Sequence, residues 1–292
     1  MNRAEKGSLA GAMVAVLIGA GVAGAGSQGG HAMAGVPIYA VCVAVAFLMQ
    51  WTAFVPAWLN RTETFYDLTG GLTYITVTLL ALFLTPDVDA RGLLLSGLVI
   101  VWAVRLASFL FLRIRAAGED RRFREIKQAF WRFLLAWTLQ GLWVVFSLAA
   151  ALAAITSTYR RELDLPAAAG LVVWLAGFAL EVIADRQKSA FNAKPENHGR
   201  FISTGLWSWS RHPNYFGEIV LWIGVALIAL PVLRGWQYVT LVSPLFIIFL
   251  LTRVSGVPLL EKRADEKWGG EPEYEAYKAR TSVLIPRPPT AS

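Results

Sequence analysis

The chain has 292 residues, of which 56% are hydrophobic and 16% charged, and its mean hydropathy is +0.51. Soluble domains carry about 25% charged residues, so this composition argues against an ordinary soluble enzyme and predicts a multispanning membrane protein. The net charge of +7 is spread over segments bracketed by apolar runs, which speaks against a nucleic-acid partner.

The single cysteine, Cys42, lies in an apolar run, and the three histidines (His31, His198, His212) are far apart, so neither a disulfide nor a metal site is indicated. Apolar runs recur at Ser8–Gly26, Val36–Val55, Gly71–Leu84, Leu93–Leu112, Phe133–Ile155, Ala167–Ile183, Ile219–Leu230 and Val239–Leu251. Extended through their aromatic flanks, they predict an all-α fold, a polytopic bundle of seven to eight transmembrane helices. The first run follows Arg3 and Lys6 and ends in AGAGS, a pattern shared by signal peptides and by Gly/Ala-rich packed helices. The Gly-rich connector GSQGGHAMAG that follows reads as a loop.

Charge sets the orientation. Arg113–Arg132 holds seven Lys/Arg against three acids, and Asp185–Arg211 and the C-terminal tail are also basic. With eight spans these three segments share a side with the N-terminus, which places them in the cytoplasm and TPDVDAR and TYRRELDLP outside. The expected organisation is a single membrane domain over 1–292, with 1–35 an extra N-terminal span and about 36–288 the core. If bacterial, it would sit in the inner membrane. The polar tail after Leu260 is expected on the membrane surface.

Asp67, Arg105, Glu181 and Arg253 interrupt or flank apolar runs. An isolated charge at such depth costs several kcal/mol in lipid, so these residues should face a polar cavity or each other; the alternative is structural ion pairs, or arginines that snorkel to the interface. Glu181, Asp185 and Lys188 follow at spacings of four and three, on one face of a helix leaving the membrane. Acids there can accept hydrogen bonds from sugar hydroxyls, while Lys188, Arg186, Arg200 and Arg211 can meet phosphates. In TGLWSWSRHPNYFGEIVLWIG, Thr204–Gly224, a helical reading puts Arg211, Asn214 or Tyr215, Glu218 and Trp222 on one face. His212 precedes Pro213, whose fixed φ suits a turn or a first helical residue. The bland alternative for both stretches is a solvated helix end with local charge pairs.

Three segments in order, LEVIADRQKSAF, TGLWSWSRHPNYFGEIVLWIG and PEYEAYKARTSVLIP, resemble the bacterial steroid 5-alpha-reductase-like membrane proteins, related to steroid 5-alpha reductases and sterol C14 reductases. The resemblance covers about Asp67 to Pro286 and includes GEDRRF after the fourth span. RHPxYxGE alone is also similar to a segment of isoprenylcysteine and phospholipid methyltransferases.

The resemblance implies an all-helical membrane reductase with NADPH in a cavity open to the cytoplasm. Asp185, Asn214, Glu218 and Arg253 would contact that cofactor. Arg105, Arg113, Glu181, Lys188, Arg200, Arg211, His212 and Tyr215 complete the candidate cofactor-binding set. Two positions depart from the pattern: Glu181 stands for an Asn, and Val257 for a His. Asp67, preceded by Tyr66, is the candidate catalytic acid, and Trp102 takes the place of a catalytic tyrosine. The implied reaction is reduction of a carbon–carbon double bond in a lipophilic enone that arrives from the bilayer. The competing expectations are a membrane methyltransferase using S-adenosylmethionine and, outside enzymes, a transporter or membrane assembly protein.

Overall fold

The computed structural model describes residues 2–117 and 123–288. The helices are α1 Arg3–Ser27, α2 Ile38–Leu59, α3 Tyr66–Leu84, α4 Ala90–Ala117, α5 Phe130–Thr156, α6 Leu165–Asn192, α7 Pro213–Ala229, α8 Val242–Phe249, α9 Val257–Trp268 and α10 Pro272–Arg280. Among the described residues, eight helical stretches are long and apolar enough to cross a membrane, α1 included. The all-α membrane bundle expected from the apolar runs is the observed fold. The connector read as loop forms a small hairpin, β1 Ala32–Met33 with β2 Val36–Pro37, in which Ala32 faces Pro37 and Met33 faces Val36. Its turn residues, Ala34 and Gly35, both have positive φ.

The chain divides into two compact units: Met1–Ala167 with Ile228–Ser243, and Ala168–Leu227 with Pro244–Ser292. In the first unit α5 is the axis. Every residue from Ser147 to Ser157 is buried, and most are small (Ala, Ser or Thr), so neighbouring helices can approach closely. α1 packs along it: a Cβ built on Gly11 would lie 3.3 Å from Leu135, and one on Gly19 2.6 Å from the ring of Phe47 on α2. Past α1, the Gly29 carbonyl accepts the Thr158 N–H (2.9 Å), and the His31 N–H donates to the Thr156 carbonyl (2.7 Å).

The same unit closes its charges on itself. Arg91, 1% exposed, donates to the carbonyls of Ile228 and Glu162 (2.7 Å each) and to Asp164 (3.0 Å). Burial works against the Asp164 charge. Hydrogen bonds from Arg91 and the Ala167 N–H, with the charges of Arg91 and Arg161, outweigh it and hold the carboxyl below its ordinary value. Glu63, also buried, pairs with Lys127 at 2.7 Å.

The second unit is organised by a close crossing of α6 and α7. A Cβ on Gly217 would lie 2.6 Å from both the Glu181 nitrogen and the Gly177 oxygen, and one on Gly224 2.6 Å from the Gly170 oxygen. Backbone therefore meets backbone, and the pairs 170/224 and 177/217 define an antiparallel register. Only residues without a Cβ allow that approach. α8 runs into a π-helical turn, Leu250–Val254, which ends before Gly256 and α9. Such turns are rare and often mark functional sites.

Candidate functional site

The antiparallel register carries the two sequence-predicted polar faces to the same end of the α6–α7 pair. Asp185 lies one turn beyond Glu181 on α6, and Asn214 lies in the first turn of α7. Asn214 Nδ2 donates to Asp185 Oδ1 at 3.2 Å. Glu181 (3% exposed), Asp185 (7%) and Glu218 (8%) are all buried. Asn214 Oδ1 is itself buried and accepts no hydrogen bond among the described residues.

α7 begins at Pro213, as its fixed φ suggests, so Arg211 precedes the helix and does not share the face of Asn214 and Glu218. Likewise α6 runs on to Asn192, so the first part of the expected basic loop Asp185–Arg211 is helical. The rest of that loop folds onto α6. Gly205, at φ +61°, turns the chain so that the Leu206 N–H donates to Gln187 Oε1 (2.9 Å). The buried Trp207 indole N–H then donates to the Ala184 carbonyl (3.0 Å), and Lys188 Nζ stands 4.5 Å over the same indole. Arg200 is exposed and lines a recess of about 350 Å³ with Phe191, Phe201, Ser203, Glu271 and Glu273.

Arg211 and His212 are held by the tail. Glu261 on α9 binds Arg211 Nη2 and His212 Nε2, each at 2.8 Å. The His212 ring stacks on Tyr215, with centroids 5.8 Å apart and planes 13° from parallel. Burial pushes the imidazole below its ordinary value against the hydrogen bond and charge of Glu261, with Lys188 and Arg211 adding to the burial effect. The neutral ring donates from Nε2 to Glu261, a tautomer assigned from the network, and Nδ1 is buried without a partner among the described residues.

The tail after Leu260 is folded against the loop that precedes α7. α9 and α10 bury Tyr274 and Tyr277, and the Tyr277 hydroxyl donates to the Trp207 carbonyl (2.7 Å). Arg253 is exposed in the π-helical turn.

The remaining predicted residues belong to the first unit. Tyr66 packs at a tilt on Phe123 and edge to face on Trp137, and its hydroxyl donates to the Ala136 carbonyl (2.9 Å). Asp67 follows in the first turn of α3, half-buried. Trp102 is fully buried and meets Tyr74 edge to face, and Arg105 lies 5.4 Å over the Phe109 ring. The Arg113 side chain and Gly118–Arg122 of GEDRRF lie outside the described residues.

Sequence reasoning missed several polar groups. Gln50 on α2, fully buried, donates to Thr73 (2.8 Å), and Gln140 on α5 donates to the Tyr66 carbonyl (3.1 Å). Each is a lone amide within an apolar run, a signal open to the same argument that singled out Arg105. Glu261 sits in a charge-rich stretch that reads as solvated, and nothing in its spacing marks it.

A family model described as a protein of unknown function (DUF1295) matches residues 53–281. A similar curated protein is 3-oxo-5-alpha-steroid 4-dehydrogenase 1 of Rattus norvegicus, 28% identical over 118 residues, which are 40% of this chain and 40% of the relative. The chain therefore spans well under half the length of the curated relative it matches. No solved structure matches. With the family model covering most of its length, the chain belongs to DUF1295, a family of steroid 5-alpha-reductase-like membrane proteins.

Proposed function

We propose that this membrane protein is an NADPH-dependent reductase of a carbon–carbon double bond in a lipophilic enone, steroid-like or another lipid. The observation that carries the reading is the Asn214–Asp185 pair at one end of two membrane helices, with buried Glu181 and Glu218 one turn along α6 and α7. The residues fit a nucleotide: the buried Asn214 Oδ1 lacks a donor, which a ligand amide or hydroxyl would supply. The similarity to a steroid 4-dehydrogenase supports the reaction class.

When bound, NADPH supplies the hydride. Asp185 and Glu181 are assigned to sugar hydroxyls, Lys188 and Arg200 to phosphates, and Asn214 and Glu218 to orienting the nucleotide, with Arg253 and Tyr215 beside it. Asp67 holds a proton at the substrate carbonyl, where negative charge develops as the double bond is reduced. Tyr66, with its hydroxyl committed to Ala136, supports Asp67. Trp102 shapes the apolar part of the site, and Arg105 orders it. The distribution of basic segments supports a cytoplasmic nucleotide end, and the lipophilic substrate is assigned an approach from the bilayer.

The reading is tested by calorimetric titration of NADPH into wild type, Asn214→Ala and Glu218→Ala in detergent. Each variant is expected to lose about tenfold or more in affinity, a typical effect of removing a buried polar contact. Wild-type affinity in both would overturn the assignment.

A further inference from the structure

We infer that Glu261 is a positioning residue of the proposed nucleotide site: its carboxylate gathers Arg211 and His212 and so fixes the start of α7, on which Asn214 stands. The inference rests on the functional reading above and reassigns two residues within it. Sequence reasoning counts Arg211 and His212 among the groups that meet the nucleotide, whereas their bonds point elsewhere.

Both oxygens of Glu261 are engaged, one by each residue, at 2.8 Å. The side chains of Arg211, His212 and Glu261 are 12%, 6% and 22% exposed, so this is an enclosed cluster and not a solvent-averaged surface pair. Arg211 Nη1 donates to the Lys278 carbonyl (3.2 Å), which leaves no terminal nitrogen uncommitted; the Nε–H is buried and without a partner among the described residues. A phosphate brought to this guanidinium would meet the Glu261 carboxylate, a like charge in a partly desolvated place.

The backbone is pinned as well. The Arg211 N–H donates to the Ser282 carbonyl (2.9 Å) and the His212 N–H to Ser210 Oγ (3.1 Å), while the Ser210 hydroxyl donates to the Leu284 carbonyl (2.8 Å). The His212 carbonyl then accepts the Phe216 N–H (3.1 Å), the bond that opens α7. Asn214 is thereby held from one side by Asp185 on α6 and from the other by a segment whose peptides are pinned to Ser282 and Ser210 and whose side chains Glu261 gathers. A site tolerates little looseness in such a group, because a shift of about 1 Å can cost 10²-fold in function.

The test titrates NADPH and NADH separately into wild type, Glu261→Ala, Arg211→Ala and the double variant. Positioning predicts that each single variant weakens both nucleotides about tenfold, leaves their ratio unchanged, and that the double variant is no worse than either. Glu261→Gln keeps an acceptor for His212 and is expected to recover part of the loss. Should Glu261→Ala not fold, Glu261→Gln read against Arg211→Lys decides by the same criterion, an equal loss for both nucleotides. Wild-type affinity in Glu261→Ala, or an Arg211→Ala defect confined to NADPH, overturns the inference, the latter by marking a direct phosphate contact. Binding of neither nucleotide by wild type would overturn the functional reading itself and the inference with it, an outcome distinct from the other two.

Discussion

The two units of this protein handle polar groups in different ways. In the first, around α5, charges are closed in local clamps: Arg91 with Asp164 and two carbonyls, Glu63 with Lys127. In the second, polar groups from α6, the 193–212 loop, the start of α7, α9 and α10 converge on a few residues, and three buried acids stand near one hydrogen-bonded amide. A clamp needs one partner and serves the stability of its own unit. A network drawn from five segments fixes the orientation of the side chains it surrounds, which is what a binding site requires. Stability and recognition should therefore be separable by mutation.

The largest effect is expected at the helix crossing that builds the second unit. Gly217→Val would drive methyl groups into the α6 backbone, with no flexible neighbour to yield, at a cost of about 3 kcal/mol or more in a denaturant titration in detergent. The contrasting control is Gly21→Val on α1, where a Cβ meets open space, so stability should stay within about 0.5 kcal/mol of wild type. Equal effects of the two would erase the distinction between backbone-to-backbone and lipid-facing glycines.

Next in size is Arg91→Met. It strands the carbonyls of Ile228 and Glu162 and leaves Asp164 with only Arg161 and the Ala167 N–H, for a loss of about 3 kcal/mol in the same titration. If the units divide the work as described, the folded fraction of this variant binds NADPH with wild-type affinity. A large fall in affinity would show that the clamp serves recognition too.

Two smaller effects probe the network. Tyr277→Phe removes the bond to the Trp207 carbonyl and should cost about 1 kcal/mol. The His212 prediction concerns pH. Burial holds its folded pKa below the unfolded value of about 6.5, so the folded state favours the neutral ring. Its contribution is fully present above that value and is lost as pH falls through the folded pKa. Melting curves between pH 7.5 and pH 5 should show the decline, and His212→Gln should flatten it. A decline of the same size in the variant would assign the effect to other groups.

How much of this was legible in the sequence follows the same division. The apolar runs mark the spans because hydrocarbon demands length and hydropathy, both written locally. Pro213 marks the start of α7 for an equally local reason. The Glu181–Lys188 face and the Asn214–Glu218 face were visible as polar patterns on apolar helices. Their meeting depends on Gly177, Gly217 and Gly224, whose role appears only when the helices cross. Glu261 was illegible because EKRADEKW reads as a solvated charge run, and only the fold brings its carboxylate to Arg211. Arg91 lay hidden for a related reason: in TPDVDAR it reads as a loop charge, whereas its partners lie at 162, 164 and 228. Burial of Tyr274 and Tyr277 in the tail was not legible, because the loop carbonyl and rings they meet come from distant positions.

The central claim is that the α6–α7 end holds a nicotinamide nucleotide. The most direct test is a calorimetric titration of the purified wild-type protein with NADPH and, separately, with S-adenosylmethionine, the cofactor of the membrane methyltransferases that share RHPxYxGE. Saturable binding of NADPH, with none of S-adenosylmethionine, is the predicted result. Binding of S-adenosylmethionine alone, or of neither, would contradict it.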